Sequence, residues 1–198
     1  MIIGLTGQSG AGKTTASKIF EENGFFVIDA DKVSRAVSKN KDCLSSLVSV
    51  FSEDILSENG ELNRKKLGSI VFSDEEKLEL LNKTIFPYII KEIEEISIQN
   101  SDKNIVLDAP TLFESGLHTS CDIIVSAIAN RDLRIKRITE RDGISLDDAL
   151  KRINSQKTEE FFRSNSDYII ENNNGLGELK AASLNVVNSI KEKIFEKA

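Results

Sequence analysis

The octapeptide GQSGAGKT, Gly7 to Thr14, decides the fold, and it follows the apolar run MIIGLT. It matches the pattern G-x-x-x-x-G-K-[S/T], and the next segment, TTASKIFEENG, has the composition of a helix that ends near Gly24. Phosphate oxygens approach backbone N–H groups closely only where no Cβ intervenes, and glycine removes that obstacle. The pattern and its context therefore predict a strand, a phosphate-binding loop and a helix.

The residues of this loop have expected roles toward a nucleoside triphosphate. The helix that follows presents unpaired N–H groups and the positive end of its dipole to the phosphates. Lys13 brings a positive charge to the β and γ phosphates, and the Thr14 hydroxyl is a candidate ligand of Mg²⁺. The predicted nucleotide contacts come from Gly10, Ala11, Gly12, Lys13, Thr14 and Thr15.

Two other nucleotide-binding patterns fit this sequence poorly. A Rossmann fingerprint that begins at Gly10 needs a glycine where Thr15 stands. The guanine-reading pattern N-K-x-D is approached at Asn40, but Cys43 occupies the place of its aspartate. The loop therefore favours ATPases and small-molecule kinases over GTP switches.

Short apolar runs alternate with helical stretches along the chain. Five of them lie at residues 1–6, 25–30, 104–109, 122–129 and 167–171. Their continuous apolarity indicates strands buried on both faces, and the helices between them indicate right-handed parallel crossovers. We expect the three-layer P-loop NTPase fold, an α/β protein with a five-stranded parallel sheet and helices on both faces.

The chain is expected to be one kinase domain with two helical additions. About 73 residues separate the second and third predicted strands, far more than a crossover needs, and the segments SSLVSVF, NRKKLGSIVF and 74–98 in this interval look helical. We therefore predict a helical acceptor-binding region at 31–100 and a helical lid at 130–165. The core then comprises residues 1–30, 101–129 and 166–198.

Acidic residues follow the second and third predicted strands, at the sheet edge where ligands bind in open α/β proteins. A kinase needs a carboxylate there to orient the acceptor hydroxyl and take its proton, and Asp31 in IDAD is the candidate. The alternative is that Asp31 caps a helix beginning at Lys32. Asp108 in IVLDAP is a candidate partner of Mg²⁺ or its water shell, or else a strand-end cap. Glu114 in TLFESG is expected to anchor a loop that closes over the acceptor.

Charge is distributed unevenly along the sequence. The net charge is −6 and the pI is about 5.0, which argues against a nucleic-acid partner. Residues 131–157 nevertheless carry eight basic and five acidic residues, a surplus of three. This segment is either a solvated helical pair laced with ion pairs or a surface for a polyanion. Arg137 and Arg141 lie four residues apart, on one helical face, so both can reach transferring phosphates as a lid closes.

The remaining bulk properties narrow the class of protein. The sequence has no run of about 18 apolar residues and no signal-peptide pattern, so we expect a soluble, cytoplasmic protein without membrane contact. Cys43 and Cys121 lack metal-ligand spacing, and we expect both to be reduced. The oligomeric state is left open.

With these residues in view, the sequence resembles the dephospho-CoA kinase family over nearly its whole length. The resemblance is carried by GLTGQSGAGKTT, VIDADKVSR, LNRKKLGSIVFSDEEKLELLNKTIFP, VLDAPTLFESGL, RIKRITERDGISLDDALKRINSQ and SDYIIENN. It implies Mg²⁺-dependent transfer of the ATP γ-phosphate to the ribose 3′-hydroxyl of dephospho-CoA. The residues it implies are Asp31 as the catalytic aspartate, Arg64 on the acceptor side, Arg137 and Arg141 in the lid, and Asn172 near the nucleotide base. Asp108 and Glu114 are our further candidates for the acceptor side, from their positions after the third strand.

Three positions depart from the pattern of that family. The family usually has His-Pro where Phe86 and Pro87 stand, Pro-Leu-Leu-Phe-Glu where this sequence has PTLFE, and glutamine where it has Arg134. Phe86 cannot donate the hydrogen bonds of a histidine, which affects the acceptor contacts and leaves phosphoryl transfer intact.

Two other functions stay open on the sequence alone. DAD at 29–31 resembles the paired acidic residues that bind acceptor hydroxyls in shikimate kinases, although the long helical insertion fits that family poorly. The second alternative is a nucleotide-binding module without turnover.

Overall fold

The computed structural model describes residues 1–71 and 74–197. Phe72 and Ser73, at the end of the second predicted helix of the insertion, and Ala198, the last residue of the predicted core, lie outside the described residues. The chain divides into two compact units, which we call the sheet unit (Met1–Ile28 with Asn100–Ala198) and the helical unit (Asp29–Gln99).

The sheet contains five described strands in the order β2-β3-β1-β4-β5. The strands are β1 Ile2–Gly7, β2 Phe26–Asp29, β3 Ile105–Asp108, β4 Ile123–Ile128 and β5 Tyr168–Glu171. β1 pairs in parallel with β3 and with β4, so that Leu5 lies opposite both Asp108 and Val125. This arrangement confirms the predicted α/β class with a parallel sheet.

The helices of the sheet unit cover the sheet. They are α1 Lys13–Glu22, α6 Arg131–Asp142, α7 Leu146–Asn154, α8 Glu159–Ser164 and α9 Leu176–Lys197. α1 packs against α9, and their apolar side chains join those of the strands in one core whose fully buried members include Phe20, Val125 and Ile190. A smaller cluster of Ile138, Ala149 and Ile153 holds α6 against α7. Because β1, β3 and β4 are parallel, their carboxyl ends meet at one edge of the sheet.

The helical unit consists of α2 Ala30–Val37, α3 Lys41–Phe51, α4 Arg64–Val71 and α5 Glu75–Gln99, with a short 3₁₀ helix at Glu53–Ile55. α2, α3 and α4 each pack against α5. α5 buries Ile85, Ile89 and Ile93, a four-residue spacing that places these side chains on one face. The helix continues through Pro87 as one element of 25 residues. Within the described residues, the three helical stretches expected in the insertion are thus present.

α2 begins earlier than the sequence indicated. Its N-cap is Asp29, whose carboxylate accepts a hydrogen bond from the Lys32 N–H at 3.0 Å. The alternative interpretation, in which Asp31 caps a helix starting at Lys32, is therefore wrong, because the Asp29 carboxylate is the N-cap and already accepts from the Lys32 N–H. Asp31 instead lies exposed in the first helical turn.

Both cysteines are free thiols. Cys43 is fully buried in α3, and burial raises the pKa of its thiol. Burial likewise raises the pKa of Cys121 to about 12, and its Sγ donates to the Leu117 carbonyl at 3.4 Å. Among the described helices, none combines the length and apolarity needed to cross a bilayer.

Candidate active site

The loop between β1 and α1 requires glycine for two separate reasons. Gly7, Gly10 and Gly12 have φ of 141°, 80° and 99°, a region that L-residues rarely adopt. Space is also lacking, because a Cβ on Gly12 would lie 2.6 Å from Asn172 Nδ2, and one on Gly7 would clash with the Ala127 carbonyl. The glycines therefore permit close packing of the loop against β4 and the end of β5, in addition to any approach by a phosphate.

Several N–H groups of the loop have no acceptor in the part of the chain that the structure describes. They belong to Gly10, Gly12, Lys13 and Thr14, whereas the Thr15 N–H donates to the Gly12 carbonyl at 2.9 Å. Unpaired N–H groups at the start of a helix, next to a lysine, form a site that favours an anion. This group of N–H donors, which we call the amide cradle, is the part of the loop suited to phosphate.

Lys13 and Asp108 form an ion pair at the edge of the sheet where β1 and β3 end. The Lys13 and Asp108 side chains are only 18% and 11% exposed, so water screens this pair less than a surface pair. Thr14 is exposed beside them and Thr15 is half-buried. The structure therefore brings together Lys13, Thr14 and Asp108, three residues that the sequence placed at a nucleotide site.

Asn172, at the end of β5, is buried against the same loop. Its Nδ2 donates to the Ala11 carbonyl at 2.9 Å, and its backbone N–H donates to the Ile128 carbonyl at 3.0 Å. Arg137 of α6 joins this contact, donating to the Asn172 carbonyl at 3.0 Å and to the Gly10 carbonyl at 3.2 Å. One lid arginine and the predicted base-side asparagine are thus both hydrogen-bonded to the loop.

Arg141, the second predicted lid arginine, has different partners. Its guanidinium donates two hydrogen bonds to Asp142, at 2.7 and 2.9 Å, and Asp142 is also paired with Arg152 of α7. Hydrogen bonding by Arg141, and then by Arg152, lowers the pKa of Asp142 to about 2, while Asp142 raises the pKa of Arg141. Arg141 therefore belongs to an exposed ion-pair cluster at the junction of α6 and α7.

Sequence reasoning missed two residues that contact the loop, Arg134 and Gln156. Arg134 is only 4% exposed, and its Nε donates to the Ser9 carbonyl at 3.0 Å. Its Nη2 donates to Gln156 Oε1 at 2.7 Å. Gln156 Nε2 donates in turn to Ser9 Oγ at 2.7 Å. One signal in the sequence could have indicated the burial of Arg134. Arg134 lies four residues before Ile138, so both share one face of the helix, and Ile138 is buried.

Glu114 lies exposed in the loop after β3, and its neighbour Phe113 makes the fixed contacts of that loop. The Phe113 ring packs edge-on against Phe161 of α8 at 5.0 Å and near His118 at 5.2 Å. Phe113 and the fully buried Leu112 therefore anchor this loop. A direct role of Glu114 toward an acceptor stays a prediction.

The two predicted acceptor residues, Asp31 and Arg64, both lie in the helical unit. Arg64 is fixed at the start of α4, where its Nη2 donates to Ser38 Oγ at 2.6 Å and to the Ser34 carbonyl at 3.1 Å. Burial and the nearby charge of Arg35 lower the pKa of Arg64. Asp31 is exposed in α2. A carboxylate and a preoriented guanidinium are thus available in this unit for a polar ligand.

The residues present fit Mg²⁺ in the form that nucleotide enzymes use. Thr14 and Asp108 offer the oxygen ligands that this cation prefers. Among the described residues no group of three or more His, Cys, Asp or Glu side chains could hold a metal ion by itself. A magnesium ion at this site would therefore need ligands from phosphate and water as well.

Comparison with known proteins identifies sequence and structural relatives. The family model described as dephospho-CoA kinase, CoaE, matches residues 1–178. A dephospho-CoA kinase of Fusobacterium nucleatum is 44% identical over 179 residues, which cover 90% of this chain and 93% of that protein. The structure of dephospho-CoA kinase from Campylobacter jejuni matches with a TM-score of 0.71 at 29% identity, covering 97% of this chain and 98% of that one.

The fold is also shared more widely. Shikimate kinase from Acinetobacter baumannii, solved in complex with shikimate, matches with a TM-score of 0.51 at 18% identity, covering 99% of this chain and 93% of that one. Likeness at this level of identity concerns the fold alone.

Proposed function

The chain belongs to the dephospho-CoA kinase family and is therefore an ATP-dependent phosphotransferase; we propose that its acceptor is the ribose 3′-hydroxyl of dephospho-CoA. The products are then coenzyme A and ADP. The observation that supports binding of ATP is the amide cradle with Lys13 beside it. Family membership supports dephospho-CoA as the acceptor. It disfavours both a shikimate-kinase-like acceptor and a nucleotide-binding module without turnover.

The nucleotide is held mainly by the backbone in this proposal. The N–H groups of Gly10, Gly12, Lys13 and Thr14 donate to phosphate oxygens, and the Lys13 ammonium exchanges part of its pairing with Asp108 for the β and γ phosphates. Asn172 contacts the nucleotide on the base side. Mg²⁺, bound through the Thr14 hydroxyl with support from Asp108, would neutralise phosphate charge.

The acceptor is activated by a carboxylate. Asp31 accepts the proton of the 3′-hydroxyl as the new P–O bond forms, and Arg64 binds the acceptor in the same unit. Glu114 completes the acceptor side. Positioning supplies most of the rate enhancement, because the phosphoryl group needs little covalent assistance from the protein.

The lid, residues 130–165, supplies positive charge. Arg137 and Arg141 offset the charge that develops on the transferring phosphoryl group, and Arg suits this task because its planar fork binds two phosphate oxygens at once. In this proposal Arg141 exchanges Asp142 for phosphate, whereas Arg137 acts close to the Gly10 carbonyl that it already binds.

The test is a comparison of acceptors with purified protein. ADP release from ATP is measured with dephospho-CoA, with shikimate, with a nucleoside and without acceptor, each with and without Mg²⁺. We expect stimulation by dephospho-CoA alone, with coenzyme A as the product by mass spectrometry. Stimulation by shikimate alone would overturn the acceptor assignment, and nucleotide binding without turnover in all four reactions would overturn the enzyme assignment.

A further inference from the structure

Two peptide groups of the phosphate loop are held by their carbonyl oxygens, and their N–H groups have no acceptor among residues 1–71 and 74–197. The Ser9 carbonyl, which shares a peptide group with the Gly10 N–H, accepts from Arg134 Nε at 3.0 Å. The Ala11 carbonyl, which shares a peptide group with the Gly12 N–H, accepts from Asn172 Nδ2 at 2.9 Å. Because the C=O and N–H of a trans peptide point in opposite directions, fixing each carbonyl directs the N–H the other way.

Arg134 is an unusual donor for this purpose, because it is buried and no carboxylate of the described part of the chain forms an ion pair with it. A guanidinium that is 4% exposed ordinarily has an acidic partner, since burying an unpaired charge is costly. The hydrogen bonds of Arg134 instead go to the neutral oxygens of Ser9 and Gln156. Burial lowers the pKa of Arg134, which the charge of Glu159 partly offsets.

Gln156 closes a ring of hydrogen bonds around Ser9. Its Oε1 accepts from Arg134 and from the Ser9 N–H, the latter at 3.1 Å, and its Nε2 donates to Ser9 Oγ at 2.7 Å. The backbone of Arg134 also limits the loop directly, because a Cβ on Gly10 would lie 3.0 Å from the Arg134 carbonyl oxygen. Ser9 is thereby fixed at its N–H, its carbonyl and its side chain.

We propose that Arg134 and Gln156 are positioning residues for the nucleotide, which hold the Ser9 peptide so that the Gly10 N–H faces the phosphates. This role rests only on the part of the proposed function that concerns nucleotide binding. It predicts an effect on nucleotide affinity that can be measured without phosphoryl transfer.

The test is nucleotide affinity in Arg134→Met, which keeps the apolar stem and removes the donors. Calorimetry with Mg-ADP should show a dissociation constant raised about tenfold, the cost of a hydrogen bond from a charged donor. Arg134→Gln should recover most of that loss. Arg131→Met is the matched control, since Arg131 is exposed one turn earlier in α6 and should leave affinity within about twofold.

A spectroscopic readout separates positioning from mere support of the fold. In protein labelled with ¹⁵N-glycine, the Gly10 amide resonance should shift on adding ADP to the wild type and should shift much less in folded Arg134→Met. Gln156→Leu offers a second route to the same result if Arg134→Met does not fold, because Gln156 is only half-buried. Wild-type affinity in folded Arg134→Met, or in Gln156→Leu, would overturn the inference, whatever acceptor the enzyme uses.

A second, independent observation concerns a cavity of about 300 Å³ within the helical unit. Arg35, Lys39 and Arg64 line it, together with a single acidic residue, Glu61. Glu61 accepts a hydrogen bond from Asn59 at 3.2 Å, and none of the three cations forms an ion pair within the described residues. A cavity lined by three cationic side chains and one carboxylate has a net positive charge and favours an anion.

Arg64 is preorganised in this cavity. One nitrogen, Nη2, is fixed by the Ser34 carbonyl and by Ser38 Oγ, which leaves Nε and Nη1 for a ligand. Ser38 is 3% exposed and donates onward to the Arg35 carbonyl at 3.0 Å, so the position of its Oγ is itself fixed. Arginine fixed beside a second arginine has the geometry and charge to bind phosphate oxygens.

We infer that this cavity binds the diphosphate of the acceptor, a step that rests on the proposed function. The diphosphate is the anionic part of dephospho-CoA, whereas its ribose hydroxyl, adenine and pantetheine arm are neutral. Arg35 and Lys39 then contribute to acceptor affinity and not to phosphoryl transfer.

The test is a set of glutamine substitutions that remove single charges. Arg35→Gln should raise KM for dephospho-CoA about tenfold and Lys39→Gln severalfold, with kcat and KM for ATP unchanged. Lys65→Gln is the matched control, because Lys65 is exposed beside Arg64 and does not line the cavity. Inhibition by adenosine, which has the ribose and no diphosphate, should be equal in all three variants.

Calorimetry with dephospho-CoA in the absence of ATP gives a readout that needs no turnover. A lower affinity of Arg35→Gln than of Lys65→Gln for dephospho-CoA supports the cavity assignment, even if the wild type transfers no phosphate to this acceptor. Equal affinity of Arg35→Gln and Lys65→Gln for dephospho-CoA would overturn the assignment. So would a loss of adenosine inhibition in Arg35→Gln as large as the rise in its KM for dephospho-CoA.

Discussion

Asp29 and Asp31 stand two residues apart at the start of α2, and the structure gives them different surroundings. Asp29 caps the helix through the Lys32 N–H and also lies 3.5 Å from the Lys32 ammonium. Asp31 is exposed, with no such contact among the described residues. The first carboxylate therefore has a structural use within α2, and the second is available to a ligand.

Replacement of Asp31 by asparagine tests the proposed base. We expect kcat of Asp31→Asn to fall at least about a hundredfold, the lower range for loss of general base catalysis. The calorimetric affinity for Mg-ATP should stay as in the wild type.

Asp29→Asn is the control for this substitution. It removes the same charge nearby and keeps a side-chain oxygen that caps helices well, so the helix should retain its stability. Turnover of Asp31→Asn within about threefold of Asp29→Asn would exclude Asp31 as the base.

Arg141 allows a similar comparison, because Arg152 shares its partner Asp142. If Arg141 serves only that exposed cluster, its removal costs roughly 0 to 1 kcal/mol of stability and little activity. If it reaches the transferring phosphate, Arg141→Ala should reduce kcat by at least about a hundredfold, since such arginines contribute about 10³ or more to the rate.

Arg152→Ala breaks the same cluster from the other side. We expect its melting temperature to change about as much as that of Arg141→Ala while its kcat stays within about twofold of the wild type. Equal losses of activity in the two variants would assign Arg141 to the ion-pair cluster alone.

The basic segment shows how far single residues could be predicted. Sequence left two interpretations of residues 131–157, a helical pair with surface ion pairs or a surface for a polyanion. The ion pairs are present, as between Lys136 and Glu140, while Arg137 donates to carbonyl oxygens of the phosphate loop and the polyanion surface stays a prediction. Helical spacing placed Arg137 and Arg141 on one face, yet it could not reveal that Arg141 meets the adjacent Asp142. Sequence singled out Arg134 only as a departure from the family pattern. Because arginine is seldom buried without a carboxylate, nothing in the sequence indicated that Arg134 would contact the phosphate loop.

At the scale of elements, the junction of α6 and α7 depends on Asp142. Gly143, with φ of 63°, ends α6, and Ser145 caps α7 by accepting from the Asp148 N–H at 3.1 Å. Asp142 pairs with the adjacent Arg141 in α6 and, across this turn, with Arg152 of α7. The carboxylate therefore links the end of one helix to the body of the next.

This link predicts a pH dependence of stability. The pKa of Asp142, at about 2, lies below the value near 3.9 expected in the unfolded chain. A depressed pKa stabilises the folded state fully above about pH 4, and the contribution is lost as the pH falls toward 2. Urea unfolding of Asp142→Asn should therefore lose less stability between pH 4 and pH 2 than the wild type.

Asp102→Asn controls for acid effects elsewhere in the chain, because Asp102 is exposed in the loop before β3. Its stability should fall with pH as steeply as that of the wild type. Parallel curves for Asp142→Asn and Asp102→Asn would show that Asp142 carries no acid-sensitive stability.

Element boundaries could be predicted where a single signal dominated. The helix predicted over 74–98 follows from local residue types and apolar spacing, and the structure has it as α5, Glu75–Gln99. The start of α2 could not be fixed in the same way, because IDAD offers two carboxylates and either can cap. Only the fold, which ends β2 at Asp29, selects between them.

At the scale of the whole molecule, the two units are expected to respond to different ligands. Mg-ADP should protect amides of α1 and the phosphate loop in the sheet unit from hydrogen exchange. Dephospho-CoA should protect amides of α2 and α4 in the helical unit. Ligand that binds only the folded state stabilises it, by about 2.7 kcal/mol at a hundred times its dissociation constant.

Hydrogen exchange followed by mass spectrometry measures both effects in one chain. Arg134→Met should lose the ADP effect in the sheet unit and keep the dephospho-CoA effect in the helical unit. Protection by dephospho-CoA confined to the sheet unit would contradict the assignment of the acceptor to residues 31–100.

The sheet itself was predictable in its class and not in its order. Five continuous apolar runs indicated parallel strands buried on both faces, which is what the structure contains. Their similar apolarity could not say which strand is central. β1 occupies that place between β3 and β4, so the loop that follows it opens beside Asp108 and Ala127.

The burial of Cys43 and the raised pKa of the half-buried Cys121 matter for an enzyme of this family. Dephospho-CoA and coenzyme A both end in a thiol, and in oxidising surroundings such molecules form mixed disulfides with accessible protein thiolates. Cys43 is fully buried, and Cys121, with a pKa of about 12, stays protonated at neutral pH. We therefore expect neither dephospho-CoA nor coenzyme A to form a mixed disulfide with either cysteine at neutral pH.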